Sequence, residues 1–143
     1  MMQDRIDDMI DYAWRYVGHP YRWGGDDPSG IDCSGLIVEC LKAVGLLRES
    51  EDLTADGLMK RFIAGQTTAP EKGCLAFRLD DSGKAFHVVL CIGDDLYIGA
   101  DGGGHTTVTE ADAWKQNAFV KMRPLSKYLP SELVFVDPFE GVV

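Results

Sequence analysis

Cys33 is the residue of this sequence that is best placed to do chemistry. It stands where a loop rich in glycine, aspartate and proline meets a helical pattern. A cysteine in the first turn of a helix lies near unpaired backbone N–H groups and the positive end of the helix dipole, which favour a thiolate. The alternative is a small apolar side chain entering the core, since free cysteines are among the most buried residues. Because polar or minimal side chains flank it (Asp32, Ser34 and Gly35), we interpret Cys33 as a nucleophile.

The other three cysteines are interpreted as core residues. Cys40, Cys74 and Cys91 lie in apolar, periodic segments, and the chain is too long and too apolar to need a disulfide framework. We therefore expect free thiols. The spacing contains no CxxC or HxxxH pair, so neither a metal ion nor another cofactor is expected.

A thiolate nucleophile needs a base that holds the proton and returns it to the leaving amine. Three histidines are available, and His87 opens the apolar run "HVVLCI". The alternative for His87 is a structural histidine with satisfied hydrogen bonds. His19 precedes a proline in a loop, and His105 follows three glycines, so both are weaker candidates. His87 is favoured as the base because catalytic residues meet in space and not in sequence.

Composition limits the class of protein. The chain has 143 residues and a net charge of −9, which is the wrong sign for binding nucleic acid or an anionic membrane. No apolar run reaches the roughly 18 residues of a membrane span, and the acidic segment 1–14 does not resemble a signal peptide. We expect one domain over residues 1–143, located in the cytoplasm or delivered by lysis, a phage tail or a secretion system. Its oligomeric state stays open.

Three helices are predicted from apolar spacing. The first runs from about Asp4 to Val17 and ends at Gly18. The second begins at Cys33 and ends at Gly45, and an irregular, glycine-rich loop precedes it. The third covers Ala55 to Ala64, with Thr54 as its N-cap and with Leu58, Met59, Phe62 and Ile63 facing inward.

The second half of the chain reads as strands. Five short apolar runs are separated by turn residues, and the short links between them indicate antiparallel neighbours. The runs are Cys74 to Leu79, Phe86 to Ile92, Leu96 to Ala100, His105 to Thr109 and Ala118 to Arg123. Helices followed by strands predict an α+β fold in which the helices pack on one face of a small antiparallel sheet.

Four motifs together resemble the NlpC/P60 cysteine peptidases of bacterial cell walls. They are "GHPYRWGG", "DCSGLIVECLKAVGL", "KGCLAF" and "HVVLCIGDDLYIGADGGG", and they extend from Gly18 to Gly104. The resemblance implies a papain-like core, with Cys33 as nucleophile and His87 as general base. It also implies that Tyr21, beside the nucleophile, and Asp32 and Ser34 shape the substrate site.

The same resemblance implies a substrate. Family members hydrolyse peptidoglycan stem peptides, most often at the bond from the γ-carboxyl of D-glutamate to a diamino acid. Two alternatives stay open, namely an N-acetylmuramoyl-L-alanine amidase of the CHAP type and a catalytically inactive binding module of the same fold. The expected lack of a signal peptide fits a catalytic domain that is delivered as part of a phage or tail-associated hydrolase.

Gly99 departs from the family pattern. Many members place a polar residue, often histidine, at that position to orient the catalytic histidine, and glycine has no side chain for this role. Asp101 lies two residues further on, hence on the same side of an extended strand, and is our candidate for the third catalytic residue. A backbone carbonyl, a water molecule or His105 are the alternatives.

Overall fold

Residues 2–27 and 30–140 are described by a computed structural model, and they form four helices and eight short strands. The helices are α1 (Met2–Trp14), α2 (Cys33–Ala43), α3 (Ala55–Phe62) and α4 (Glu110–Gln116). The strands are β1 (Asp26–Asp27), β2 (Gly30–Ile31), β3 (Gln66–Thr67), β4 (Leu75–Leu79), β5 (Ala85–Gly93), β6 (Leu96–Asp101), β7 (Phe119–Pro124) and β8 (Leu133–Val136). Turns of 3₁₀ helix cover Ile63–Gly65, Leu125–Lys127 and Pro130–Glu132. The predicted α+β fold class is confirmed.

The helix that carries Cys33 forms as predicted. It begins at Cys33, and Gly45 beyond its end adopts a φ of 77°. The Gly45 N–H donates to the Lys42 carbonyl at 3.1 Å and the Leu46 N–H to the Leu41 carbonyl at 2.9 Å. These two bonds are the Schellman motif, in which glycine takes the left-handed position at no steric cost.

Helix α1 ends one turn earlier than the predicted Val17. From Arg15 to Val17 each N–H bonds the carbonyl three residues back, at 3.0 to 3.2 Å, so the last turn narrows to 3₁₀ geometry after Trp14. Gly18, with a φ of 92°, then turns the chain away. The predicted stop at glycine was right, but the regular helix does not reach it.

Helix α3 begins where predicted and ends at Phe62, not at Ala64. The Thr54 side chain caps its first turn, and Leu58 is fully buried. Ile63, predicted to face inward, is exposed. The reason is the change to 3₁₀ geometry at Ile63, which turns that side chain off the buried stripe.

Six strands form one antiparallel sheet in the order β3-β8-β4-β5-β6-β7. Four of the five predicted runs correspond to β4, β5, β6 and β7, and their sequential pairing is the one that short links imply. The prediction of a strand over the fifth run, 105–109, was wrong. It forms turns closed by a Thr107 N–H to Gly104 carbonyl bond, and Thr109 then starts α4 through a capping box with Asp112.

The sequence analysis missed helix α4 and the strands β1, β2, β3 and β8. Strand β8 lies inside the sheet between β3 and β4, although its run "LVFV" shows no alternation. Strands β1 and β2 form a short antiparallel pair in the loop that was predicted to lack regular structure. Pro28, one of the residues behind that prediction, lies outside the described residues.

The sheet has two covered faces. Val88 and Leu90 of β5 join the large core with helices α1, α2 and α3. Val89 and Cys91, which point the other way, form a second core with Tyr97 and the segment that follows β7. The helices therefore cover one face only, as predicted.

A β-bulge lies at the start of β5, beside His87. Arg78 pairs with His87 and Leu79 with Ala85, so Phe86 is an extra residue in the strand. Bulges of this kind bend a strand end and re-aim its side chains. Among the described residues no helix is long and apolar enough to cross a membrane.

We expect Gly65→Ala to loosen the attachment of β3 and β8. The Asp137 N–H donates to the Gly65 carbonyl at 2.7 Å, and a Cβ at position 65 would lie 2.0 Å from the Asp137 carbonyl oxygen. Backbone cannot give way as a flexible side chain can, so the unfolding free energy should fall by about 1–3 kcal/mol. Urea denaturation measures this loss.

Gly104→Ala is the matched control, because a Cβ there meets nothing within 4 Å. An unchanged urea midpoint for Gly65→Ala would show that the contact between position 65 and the chain after β8 is not tight.

Candidate active site

Asp32 builds the helix start on which Cys33 stands. Its Oδ1 accepts the Gly35 N–H at 2.7 Å and its Oδ2 accepts the Gly24 N–H at 3.0 Å. The first bond caps α2, and the second ties the preceding loop to the same carboxylate. The Ser34 hydroxyl also donates to Oδ1, at 3.4 Å. Cys33 is thereby fixed at the first helical position, with 9% of its surface exposed.

Asp32 and Ser34 both line the cavity that contains Cys33, as expected for residues that shape a substrate site. Both oxygens of the Asp32 carboxylate nevertheless hold backbone groups of the protein. Burial raises the pKa of Asp32, although the Gly35 and Gly24 amides oppose that shift. The visible role of this carboxylate is to shape the loop around the thiol.

The strand register brings Asp101 to His87. Leu90 pairs with Ile98, and this register continued along both strands places Asp101 opposite His87. Gly99 falls two residues short of that position. The side chain at 101 is thus better placed to meet the imidazole than any side chain at 99 would be.

His87 and Asp101 form a direct hydrogen bond. His87 Nε2 lies 3.0 Å from Asp101 Oδ1, so Nδ1 is the ring nitrogen left for the Cys33 thiol. Burial lowers the pKa of His87, but the hydrogen bonds and charges of Asp101 and Cys33 raise it to about 9. The arrangement therefore favours imidazolium beside the sulfur.

Asp101 is a buried charge, with 2% of its surface exposed. Burial raises the pKa of Asp101, but hydrogen bonds from His87 and Tyr97 outweigh burial and hold that pKa well below its ordinary value. A carboxylate that stays ionised in this position can stabilise a positive imidazole ring.

Tyr21 lies beside the thiol under a glycine-rich loop. It is buried, and its backbone N–H donates to the Ala118 carbonyl at 3.0 Å. Gly103 passes so close to its ring that a Cβ there would fall 2.2 Å from Cδ1. Burial, followed by the charges of Cys33 and Asp32, raises the pKa of the Tyr21 hydroxyl. The hydroxyl therefore keeps its proton and can donate it in a hydrogen bond.

The other two histidines do not meet the thiol. His19 donates from Nδ1 to the Tyr16 carbonyl at 2.9 Å and does not line the cavity. His105 lies at the cavity rim, exposed, with its ring edge-on to Trp23 at 6.3 Å between centroids. His87 is the histidine that the fold brings to Cys33.

The cavity around these residues has a volume of about 940 Å³. Exposed aromatic rings stand at its rim, from Trp23 and Phe86, and three cationic side chains also line it, namely Arg78, Lys84 and Lys127. Within residues 2–27 and 30–140, no cluster of histidine, cysteine or acidic side chains is arranged to hold a metal ion. A nucleophile, a proton carrier and a buried carboxylate in one open cleft can perform acyl transfer.

Three side chains around Asp101 were missed by the sequence analysis. Tyr97 and Tyr128 bond its carboxylate, and Lys127 Nζ lies 3.5 Å from its Oδ2. Tyr97 shares the two-residue periodicity of β6 with Asp101, which is a signal that could have found it. Tyr128 and Lys127 come from an irregular segment that carries no such signal.

Comparison with known proteins places this site in a family. The sequence profile of the NlpC/P60 family matches residues 18–123. Among curated relatives, the chain is 33% identical over 103 residues to "Dipeptidyl-peptidase 6" of Lysinibacillus sphaericus, covering 69% of this chain and 34% of that protein. It is 34% identical over 96 residues to "Gamma-D-glutamyl-L-lysine dipeptidyl-peptidase" of Bacillus cereus, covering 64% of this chain and 27% of the relative.

The chain thus spans about a third or less of the length of these two relatives. A crystal structure of an NlpC/P60 family protein from Bacillus cereus superimposes with a TM-score of 0.72 at 24% identity, over 92% of this chain and 39% of that one. This likeness confirms the expected NlpC/P60 fold. Because the profile match covers most of the chain, including Cys33, His87 and Asp101, the protein belongs to the NlpC/P60 family.

Proposed function

We propose that this chain is a cysteine endopeptidase that hydrolyses peptidoglycan stem peptides, at the bond from the γ-carboxyl of D-glutamate to a diamino acid. The observation that carries the proposal is the meeting of Cys33, His87 and Asp101 in one open cavity. Family membership supports the reaction class, and the similarity to the Bacillus cereus γ-D-glutamyl-L-lysine dipeptidyl-peptidase supports the bond.

The first half of the reaction forms an acyl-enzyme. The Cys33 thiolate attacks the amide carbonyl, and the oxyanion accepts hydrogen bonds from the Cys33 N–H and the Tyr21 hydroxyl. The imidazolium of His87 then gives its proton to the departing amine as the C–N bond breaks. Asp101 holds the ring throughout by its bond to Nε2.

The second half restores the enzyme. Neutral His87 takes a proton from water, which attacks the thioester carbonyl, and the C–S bond breaks to release a carboxylic acid and the thiolate. The proton stays on His87, so the ion pair is ready for the next substrate.

Substrate recognition follows from the charges around the cleft. Tyr21, Asp32 and Ser34 line the wall next to the thiol, where a substrate ammonium would share the Asp32 carboxylate with its two backbone partners. Lys84 and Lys127 also line the cleft and offer partners for a substrate carboxylate.

We expect Cys33→Ala to abolish hydrolysis of muropeptides, because removal of a covalent nucleophile typically lowers kcat by several orders of magnitude. Mass spectrometry of a digest should show, for the unmodified chain only, products with a new free amine on the diamino acid. Cys74→Ala is the matched control, since Cys74 is buried away from the cleft and should leave activity unchanged.

Glycan strands separated from intact stem peptides would instead identify an amidase. No product from a folded, unmodified chain would indicate the inactive binding module. Either result contradicts the proposed reaction.

We also expect kcat/KM to fall as the pH rises through about 9, where His87 loses its proton. Cys33, Asp101 and Tyr128 face the ring, and the Asp101 charge raises its pKa. Asp101→Asn removes that charge, so the alkaline limb should move down towards the ordinary histidine value of 6.5. The pH–rate profile measures the shift.

Asp94→Asn is the matched control for this profile. Asp94 is exposed in the β5–β6 turn with a φ of 56°, a conformation that asparagine also adopts. An alkaline limb that stays near pH 9 in Asp101→Asn would contradict the assignment of His87 as the titrating group.

A further inference from the structure

Two buried tyrosine hydroxyls converge on the Asp101 carboxylate. Tyr97 donates to Oδ2, and Tyr128 Oη lies 3.1 Å from Oδ1. The two hydroxyl oxygens are also 3.0 Å from each other. None of these contacts is needed to explain how His87 reaches Asp101, so the tyrosines call for an explanation of their own.

The number of hydroxyl protons determines which of these contacts can be hydrogen bonds. Each hydroxyl has one proton, so the three short oxygen contacts hold at most two hydrogen bonds. Bonds to an ionised carboxylate are roughly twice as strong as bonds between neutral groups, so both protons point at Asp101. The two tyrosine oxygens can then lie 3.0 Å apart because both hydroxyls donate to the same carboxylate.

The four contacts to Asp101 saturate its carboxylate. His87 Nε2 and Tyr128 approach Oδ1, while Tyr97 and Lys127 approach Oδ2. Tyr97 and Tyr128 are 0% and 6% exposed, so water does not compete for these positions. The carboxylate is held in one orientation, with Oδ1 aimed at the imidazole.

Gly99 lies between Tyr97 and Asp101 on β6. Tyr97 and Asp101 are four residues apart, so the tyrosine ring must lie along the strand and pass over position 99. A Cβ at position 99 would make an ordinary contact of 3.4 Å with Tyr97 Cδ1, but it would lie only 2.5 Å from Val89 Cγ1. A side chain at Gly99 would therefore collide with Val89, which lies with Tyr97 in the second core.

Tyr128 is clamped from several sides. Its ring stacks on Tyr97 at 5.4 Å between centroids and meets the His87 ring edge-on at 6.1 Å. The Arg78 guanidinium lies 4.6 Å from its centroid, and Arg78 also bonds Glu132. Tyr128 thus contacts the imidazole as well as the carboxylate that holds it.

We propose that Tyr97 and Tyr128 are positioning residues of the peptidase, which act through Asp101 to orient the His87 ring towards Cys33. The inference rests on the proposed roles of Cys33 and His87. It deepens that proposal by assigning the orientation of the His87 ring to Asp101, the acceptor, together with the two tyrosine hydroxyls that hold it.

Tyr97→Phe and Tyr128→Phe test the inference, because each removes one hydroxyl and keeps the ring. We expect each to lower kcat about tenfold while KM changes less than twofold, since a misaligned base slows chemistry without weakening binding. Tyr12→Phe is the matched control. It breaks a hydroxyl contact of 3.3 Å between Tyr12 of α1 and Tyr16 in the turn that follows, outside the cleft.

A double-mutant cycle separates positioning from general stability. In an Asp101→Ala background, the further change Tyr97→Phe should alter kcat less than twofold, because the group it acts through is gone. Asp101→Asn takes its place if the alanine variant does not fold. An equal tenfold loss in that background, or wild-type kcat for both single variants, would overturn the inference.

Alkylation by iodoacetamide gives a readout that needs no substrate. Burial raises the pKa of the Cys40 thiol, and it also raises the pKa of Cys74 to about 11 and the pKa of Cys91 to about 12. Cys33 should therefore react first at neutral pH. We expect its rate to fall severalfold in both tyrosine variants. If Cys33 reacts no faster than the other thiols, the proposed function fails; if it reacts fast and equally in all variants, only the positioning role fails.

Discussion

The site depends on keeping one negative charge buried. Asp101 is almost completely enclosed, and a buried carboxylate left without partners destabilises a protein by about 3–5 kcal/mol. Its partners come from separate parts of the chain: His87 from β5, Tyr97 from β6, and Lys127 and Tyr128 from the segment after β7. The same contacts that satisfy the charge also fix the direction of the imidazole. Stability and catalytic geometry are therefore requirements on the same atoms.

The two faces of the sheet contribute different halves of the site. The helical face supplies Cys33, anchored by the buried stripe of α2 and by the Asp32 cap. The opposite face supplies the carboxylate and its tyrosines. His87 lies between them at the bulged end of β5, where the strand bends. A bulge is useful at this point because a regular strand would direct the side chain squarely onto one face.

Local signals in the sequence predicted the parts of this arrangement that depend on neighbouring residues. The apolar stripe and Gly45 predicted α2, and two-residue periodicity on β6 pointed from Gly99 to Asp101. Strand β8 and Tyr128 could not be predicted in this way, because their places depend on pairing and packing with residues far away in the chain. Gly99 is the instructive case, since a local comparison shows only a missing side chain, whereas the structure shows that Val89 leaves no room for one there.

The orienting group cannot be moved between positions 99 and 101 by a single change. A side chain at 99 would collide with Val89, which shares the second core with Tyr97, so it would disturb the packing around the tyrosine. A buried hydroxyl without an acceptor is unfavourable by about 1–3 kcal/mol, and both tyrosine hydroxyls would face this loss if Asp101 were replaced by an apolar residue. The aspartate and the two tyrosines therefore stabilise one another as a set. The departure at Gly99 is a rearranged support for the same histidine, held in place by packing on the sheet face opposite the helices.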